Sequence, residues 1–334
     1  MGGLHPALQG LVTIIIGVGG CIGYFYFANQ FLDRVLYPAK GPDAGRNINR
    51  ANMIRPWLFL FPAIFALGLY LAYPVVATLR LSLIDNDTGA FVGLEHYAKL
   101  TGEAKFWEAI RNNLLWLIVV PALSTAFGLL AAQLTDRIAW GNLAKSLIFM
   151  PMAISFVGAG VIWKLVYEAR PDGFEQIGVL NAIWTAMGGE PQNWLTIPLW
   201  NNFFLMIVLV WIQTGFAMVI LSAALRGIPE ETVEAAIVDG ANPFQIFFKI
   251  KVPQIMSTIV VVWTTITLVV LKVFDIVFTM TNGQWETQVL ANYMYDKLFR
   301  SFDTGMGSAA AMVIMLLVTP ILVWNVYTAR KEMR

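Results

Sequence analysis

The chain has 334 residues, 58% of them hydrophobic and only 13% charged, with 22 Lys and Arg against 21 Asp and Glu for a net charge of +1. A soluble domain is about 45–50% apolar and about 25% charged, so that class is excluded, and so near-neutral a balance gives no pointer to nucleic acid or any other partner. One cysteine, Cys21, excludes a disulfide framework or a cysteine metal site, and His5 and His96 are too far apart to suggest a histidine site, so no metal ligands are expected.

Seven runs reach roughly the 18 uncharged residues needed to cross a bilayer core as a helix. They are 11–32, 57–79, 112–134, 146–163, 197–225, 252–271 and 304–329, and they predict an all-α integral membrane protein with seven transmembrane helices. The first is preceded by MGGLHPALQG, which has no Lys or Arg and makes a poor signal-peptide n-region, so it is expected to be retained as a helix (1–32). Segment 33–56, with Pro38, Gly41, Pro42 and Gly45, reads as a linker to a block of six spans over 57–334. Segment 168–196 carries Val179, Ile183, Trp184 and Met187 near helical spacing, as a helix lying along a membrane face would.

Lys and Arg near span ends set orientation. With the 226–251 loop placed inside, Arg34, Lys40, Arg46, Arg50, Arg55, Arg137, Lys145, Arg226, Lys249, Lys251, Arg330, Lys331 and Arg334 lie on that side, thirteen of the 22. The expected topology therefore has the N-terminus outside and the C-terminus in the cytoplasm.

That inside loop contains EAAIVDGANPFQIFFKIKVP (234–253), more elaborate than a crossing turn requires. Pro229 fits the first turn of a helix, where its missing N–H costs nothing, and Glu230, Glu231 and Glu234 suit a helix N-terminus. Gly240 suits a left-handed stop. Asn242 is a good N-cap and Pro243 a good first residue, so a second helix starts at once and should end before Pro253. Ala235 and Ala236 keep one surface low beside Glu234, while Phe244, Phe247 and Phe248 share a side. Such an element suits a cleft of basic character on a partner, and it equally suits an amphipathic loop packed against its own spans.

The spacing Glu234-Ala235-Ala236, Gly240, Ile250, Val252-Pro253 resembles the cytoplasmic signature loop of ABC-importer permeases, with Val252 where Leu is usual. The flanks WIQTGFAM (211–218), IPEETVEAAIVDGA (228–241) and VFDIVFTMTNG (273–283) are similar to the maltose-permease-like carbohydrate-uptake branch, alpha-glucoside permeases above all, which share the extra N-terminal span. Where that branch often continues Gly-Gly-Pro, this chain has Gly283-Gln284-Trp285. The resemblance implies a six-helix permease core plus one N-terminal helix, in a bacterial inner membrane. It implies an ATP-driven importer of a sugar of the sucrose, maltose or trehalose type. The loop 226–253 would couple to a separate ATPase dimer through Glu234, Ala235, Ala236, Asp239, Gly240, Phe244, Phe247, Ile250 and Pro253. The implied partners are a second permease in a heterodimer, that ATPase and a periplasmic sugar-binding protein, besides membrane lipid. The chain itself would be no enzyme: it has no G-x-x-x-x-G-K-[ST] to cradle phosphates, and ATP and Mg belong to the partner.

A sugar path needs polar and aromatic residues at mid-membrane depth, and polar side chains in spans usually face the bundle interior. The candidates are Trp211, Gln213 and Thr214, Ser155 and Phe156, and Trp263, Thr264 and Thr267. Ser and Thr in spans also commonly bond their own helix carbonyls. Lys272 and Asp275, at i, i+3, can neutralise one another or form an ion relay. An ion-gradient-driven secondary sugar transporter is the alternative, but it would call for midplane carboxylates or inverted repeats, and the seven span cores carry no acids or bases. No Ser/His pair or H-E-x-x-H lies in a span to suggest an intramembrane enzyme.

Overall fold

In lipid every backbone N–H and C=O must find a partner inside the protein, and a helix pairs them locally. A computed structural model describes residues 6–136, 138–171 and 173–332 and shows that solution throughout, with an isolated bridge between Ile84 and Phe91 as the one extended pairing among the described residues. His5, Arg137 and Arg334, named above, lie outside them.

The chain divides into two units, 1–77 and 78–334. In the first, α1 (Pro6–Phe31) continues through a π-helical turn to Leu36, and α2 (Ala44–Leu67) packs beside it. Phe25 stacks on Phe59 at 5.3 Å, the Tyr24 hydroxyl donates to the Leu58 carbonyl at 2.9 Å, and Arg55 pairs with Asp33 at 2.6 Å. The segment 33–56 is therefore helical at both ends and open only over 37–43, where Pro38, Gly41 and Pro42 lie. Beyond Gly45 the chain stays helical despite Pro56 and Pro62, and α2 runs on through a π-helical turn (Gly68–Ala72) into α3 (Tyr73–Leu81).

The second unit takes up the chain within α3 and goes on to α4 (Glu95–Gly102) and the long α5 (Ala104–Thr135). Next come α6 (Gly141–Phe149), α7 (Phe156–Val166) and α8 (Val179–Ala186), the last being the helix expected in 168–196. Helix α9 (Trp200–Arg226) lies along α5 and forms the core with it, burying Trp116, Leu205, Leu209 and Met218 completely. Gly128 permits this approach, since a Cβ there would meet the Ala217 Cβ and stand 2.9 Å from the Met218 nitrogen. Without a hydrophobic force between lipid-facing helices, such close backbone contact supplies the attraction.

Among the described residues five helices are long and apolar enough to span: Ala7–Leu36, Ala44–Leu81, Ala104–Thr135, Trp200–Arg226 and Thr304–Trp324. The other two expected spans are bent pairs, so the count of seven holds with each pair taken as one. Run 146–163 is not one rod: α6 tightens into a 3₁₀ turn over Met150–Ala153, and α7 leaves at 105°. Pro151 removes a helical N–H there, and Ser155, extended at φ −64°, ψ 150°, caps α7 by accepting the Gly158 N–H at 3.1 Å. Run 252–271 breaks at Ile255, where the chain bends 71°.

Candidate functional site: the coupling loop and its supports

Following α9, α10 (Glu230–Val238) begins with Pro229 just before it rather than inside its first turn, its backbone extended at ψ 133°. The helix closes as the sequence requires. Gly240 is left-handed at φ +80°, its N–H bonds the Ile237 carbonyl at 3.0 Å, and the Ala241 N–H bonds the Ala236 carbonyl at 2.9 Å, which is a Schellman closure. Asn242 then starts α11 (Pro243–Gln245): its Oδ1 accepts the Gln245 N–H while Gln245 Oε1 accepts the Asn242 N–H, both at 2.9 Å. This second helix does not stop before Pro253. It widens into a π-helical turn (Ile246–Lys251) and continues as α12 (Val252–Gln254). The wider turn relieves the clash a proline ring makes with the carbonyl four residues back.

The loop presents an unsatisfied surface. Glu230, Glu231, Glu234 and Asp239 are exposed and make no ion pair among the described residues. Val238 and Phe244 are 86% and 77% exposed, and Ile237 and Phe248 are exposed beside them. Inward, Ala236 and Ile246 are buried, and Phe247, half-buried, sets its ring edge-on to Phe248 at 4.9 Å. Of the expected loop residues, Glu234, Ala235, Asp239, Gly240, Phe244 and Pro253 are exposed, Ile250 and Phe247 half-buried, and Ala236 buried. Ile237 and Val238 belong to the same surface, although only their exposure reveals it.

The root of the loop holds a cluster that spacing did not disclose. Asp136, just past α5, accepts on Oδ1 from Lys145 Nζ, from Ser222 Oγ at 2.9 Å, and from Arg226 Nε and Nη2 at 3.1 and 2.9 Å. Burial pushes the Asp136 carboxyl up, but the hydrogen bonds from Lys145, Ser222 and Arg226 together outweigh it and hold the group below the usual aspartate value. At the other end of α5 Glu103 behaves alike. Burial raises it, and hydrogen bonds from Lys297 Nζ at 2.6 Å and the Tyr293 hydroxyl at 2.7 Å bring it below the ordinary glutamate range.

The chain leaves the loop through α13 (Met256–Leu271), followed by α14 (Asp275–Met280), α15 (Leu290–Tyr295) and α16 (Thr304–Glu332). Lys272 and Asp275 are not an i, i+3 pair, because the helix breaks between them, with Phe274 at φ −140°, and no ion pair joins them. They line instead a cavity of about 120 Å³ that also receives Phe156. Trp211 and Thr214 line a larger concavity, about 500 Å³, with Trp163, Pro151 and Phe127. Gln213 is buried on the same helix. Thr214, Thr264 and Thr267 donate to their own helix carbonyls at Val210, Val260 and Trp263, and Trp263 is exposed apart from both cavities. The turn after α14 is left-handed at Asn282, Gly283, Trp285 and Glu286. Buried asparagines grip it: Asn112 donates to the Glu286 and Gln288 carbonyls, both at 2.8 Å, Asn202 to Glu286 at 3.2 Å, and Asn201 to Trp285.

Comparison with known proteins brings relatives of nearly the whole chain. It is 62% identical over 333 residues, 98% of its length and 99% of the relative's, to the alpha-glucoside transport system permease protein AglF of Rhizobium meliloti. It is 47% identical over 279 residues, 83% of its length and all of the relative's, to the osmoprotective compounds uptake permease protein GgtC of Synechocystis. The fold is that of a chain in a bacterial ABC transporter involved in the import of the acidic polysaccharide alginate, with a TM-score of 0.72 over 86% of this chain and 99% of that one at 21% identity. Residues 124–333, from mid-α5 through the loop to α16, match the family described as binding-protein-dependent transport system inner membrane component, and the protein belongs to that family of multi-pass permeases.

Proposed function

We propose that this permease carries an alpha-glucoside of the sucrose, maltose or trehalose type inward, driven by a separate ATPase pair that holds ATP and Mg and docks on the 226–253 loop. The observation that carries the reading is the loop surface, where four exposed carboxylates with no ion-pair partner among the described residues lie beside exposed Val238, Phe244 and Phe248. Charge and apolar area left open together suit a cleft with a basic wall, with Glu234 facing a cation. A second permease in a heterodimer and a periplasmic binding protein complete the assembly, with the N-terminus periplasmic and the C-terminus cytoplasmic. The substrate class rests on the full-length 62% identity to a permease named for alpha-glucosides.

The test is uptake of labelled sucrose, maltose and trehalose by proteoliposomes holding the whole complex. Uptake that requires internal ATP and the binding protein, and that survives collapse of the ion gradients by ionophores, is the expected result. Uptake abolished by ionophores and indifferent to ATP would put the gradient-driven alternative in its place.

A further inference from the structure

We propose that Asp136 is the latch that ties the coupling loop to α5, so that movement of the loop is delivered to the membrane helices as a rigid-body displacement. The loop is joined covalently to α9 and α13 alone, yet polar contacts at both of its ends run to the last turn of α5. At the entrance, Arg226 ends α9 and places both Nε and Nη2 on Asp136 Oδ1. At the exit, Lys251 Nζ donates to Gln133 Oε1 at 3.4 Å, one turn earlier on the same helix. Lys145 of α6 closes the cluster by bonding Asp136 and, at 2.7 Å, the Ser222 hydroxyl. One carboxylate oxygen thus gathers donors from α6 and α9 at the end of α5.

The side chains of Asp136 and Lys145 are 17% and 15% exposed, so their attraction is screened far less than that of a surface pair, while Arg226 at 60% is the member nearest solvent. An arrangement of this kind has little slack, since losing the carboxylate strands the largely covered Lys145 ammonium without its counter-charge. Helix α5 in turn meets α9 backbone to backbone at Gly128, so a pull at Asp136 moves both long helices of the core. Asp136 acts here through the loop and touches no substrate, which makes it a positioning residue.

This inference rests on the loop being the coupling element, and the experiment separates the two claims. The whole complex is reconstituted with Asp136→Asn, Asp136→Glu, Arg226→Gln or Glu234→Lys in this subunit, and sugar moved per ATP hydrolysed is measured alongside complex yield. Asp136→Asn and Arg226→Gln are expected to lower sugar per ATP about 10-fold and a few-fold respectively, with Asp136→Glu restoring much of the loss. Arg226→Gln, at an exposed position that leaves the Asp136–Lys145 pair in place, keeps the test decisive where Asp136→Asn assembles poorly. An unchanged ratio in both variants overturns the latch, as does activity that falls only in step with complex yield. Should Glu234→Lys disable the complex while those ratios stand, the latch alone is wrong; should Glu234→Lys change nothing, the coupling reading fails with it.

Discussion

Asp136 and Glu103 each hold a depressed carboxyl outside the spans, at opposite ends of α5. A carboxylate whose folded value lies below its unfolded one contributes stability that is complete above the unfolded value and lost as pH falls through the folded one. With unfolded values of about 3.9 for Asp and 4.3 for Glu, thermal stability of the purified chain should be flat from neutrality to about pH 4.5 on their account and decline below it. Asp136→Asn and Glu103→Gln should each make that acid limb shallower, read as the unfolding temperature against pH; an unaltered limb would deny them the role. Gly240 gives a second prediction: at φ +80° an L side chain is strained, so Gly240→Ala should cost about 1–2 kcal/mol locally, visible as earlier exchange of the 236–241 amides. These residues differ in how readable they were. Gly240 and Asn242 obey rules that act within a few positions, and both took the expected roles. Asp136 depends on Ser222 and Arg226, 86 and 90 residues away, and on a turn that returns Lys145, none of which spacing encodes.

Helices were readable wherever a run was long and uncharged, because the bilayer demands both features at once, and Pro62, Pro121 and Pro320 stay inside theirs. Their interruptions were less so. Composition treats 146–163 and 252–271 as continuous, whereas Pro151, the Ser155 cap and the Ile255 bend divide them, and the break after Leu271 separates Lys272 from Asp275. The grip on the 281–288 turn also escaped pattern reading, since the asparagines lie on α5 and α9, far along the chain. Asn112→Ala should leave the buried Gln288 carbonyl short of a donor and the Glu286 carbonyl to Asn202 alone, and cost about 1–3 kcal/mol, seen as a lower unfolding temperature of the purified protein. Gly128→Leu should prise α5 from α9 and cost about as much through overpacking. An unchanged melt in either variant would show that the helices and the turn have room to relax.

At the scale of the whole molecule, the chain is built as one part of a larger machine. It buries a helical core between α5 and α9, holds a turn at one end of that pair, and at the other leaves a structured loop whose carboxylates make no ion pair among the described residues and whose Val238 and Phe244 are exposed. The signature spacing at 234–253 made the family readable without coordinates, and the match over 124–333 agrees with it. The substrate contacts were not readable in the same way, because Trp211 and Thr214 reach one cavity and Phe156 another, and three of the four Ser or Thr candidates spend their hydroxyls on their own helices. The measurement that bears most directly on the account is ATP-driven sugar uptake by the reconstituted complex, wild type against Glu234→Lys and Gly240→Pro. The account predicts that the complexes still assemble while uptake and binding-protein-stimulated ATP hydrolysis both fall more than about 10-fold. Uptake that persists at the wild-type rate with the loop altered in this way would contradict it.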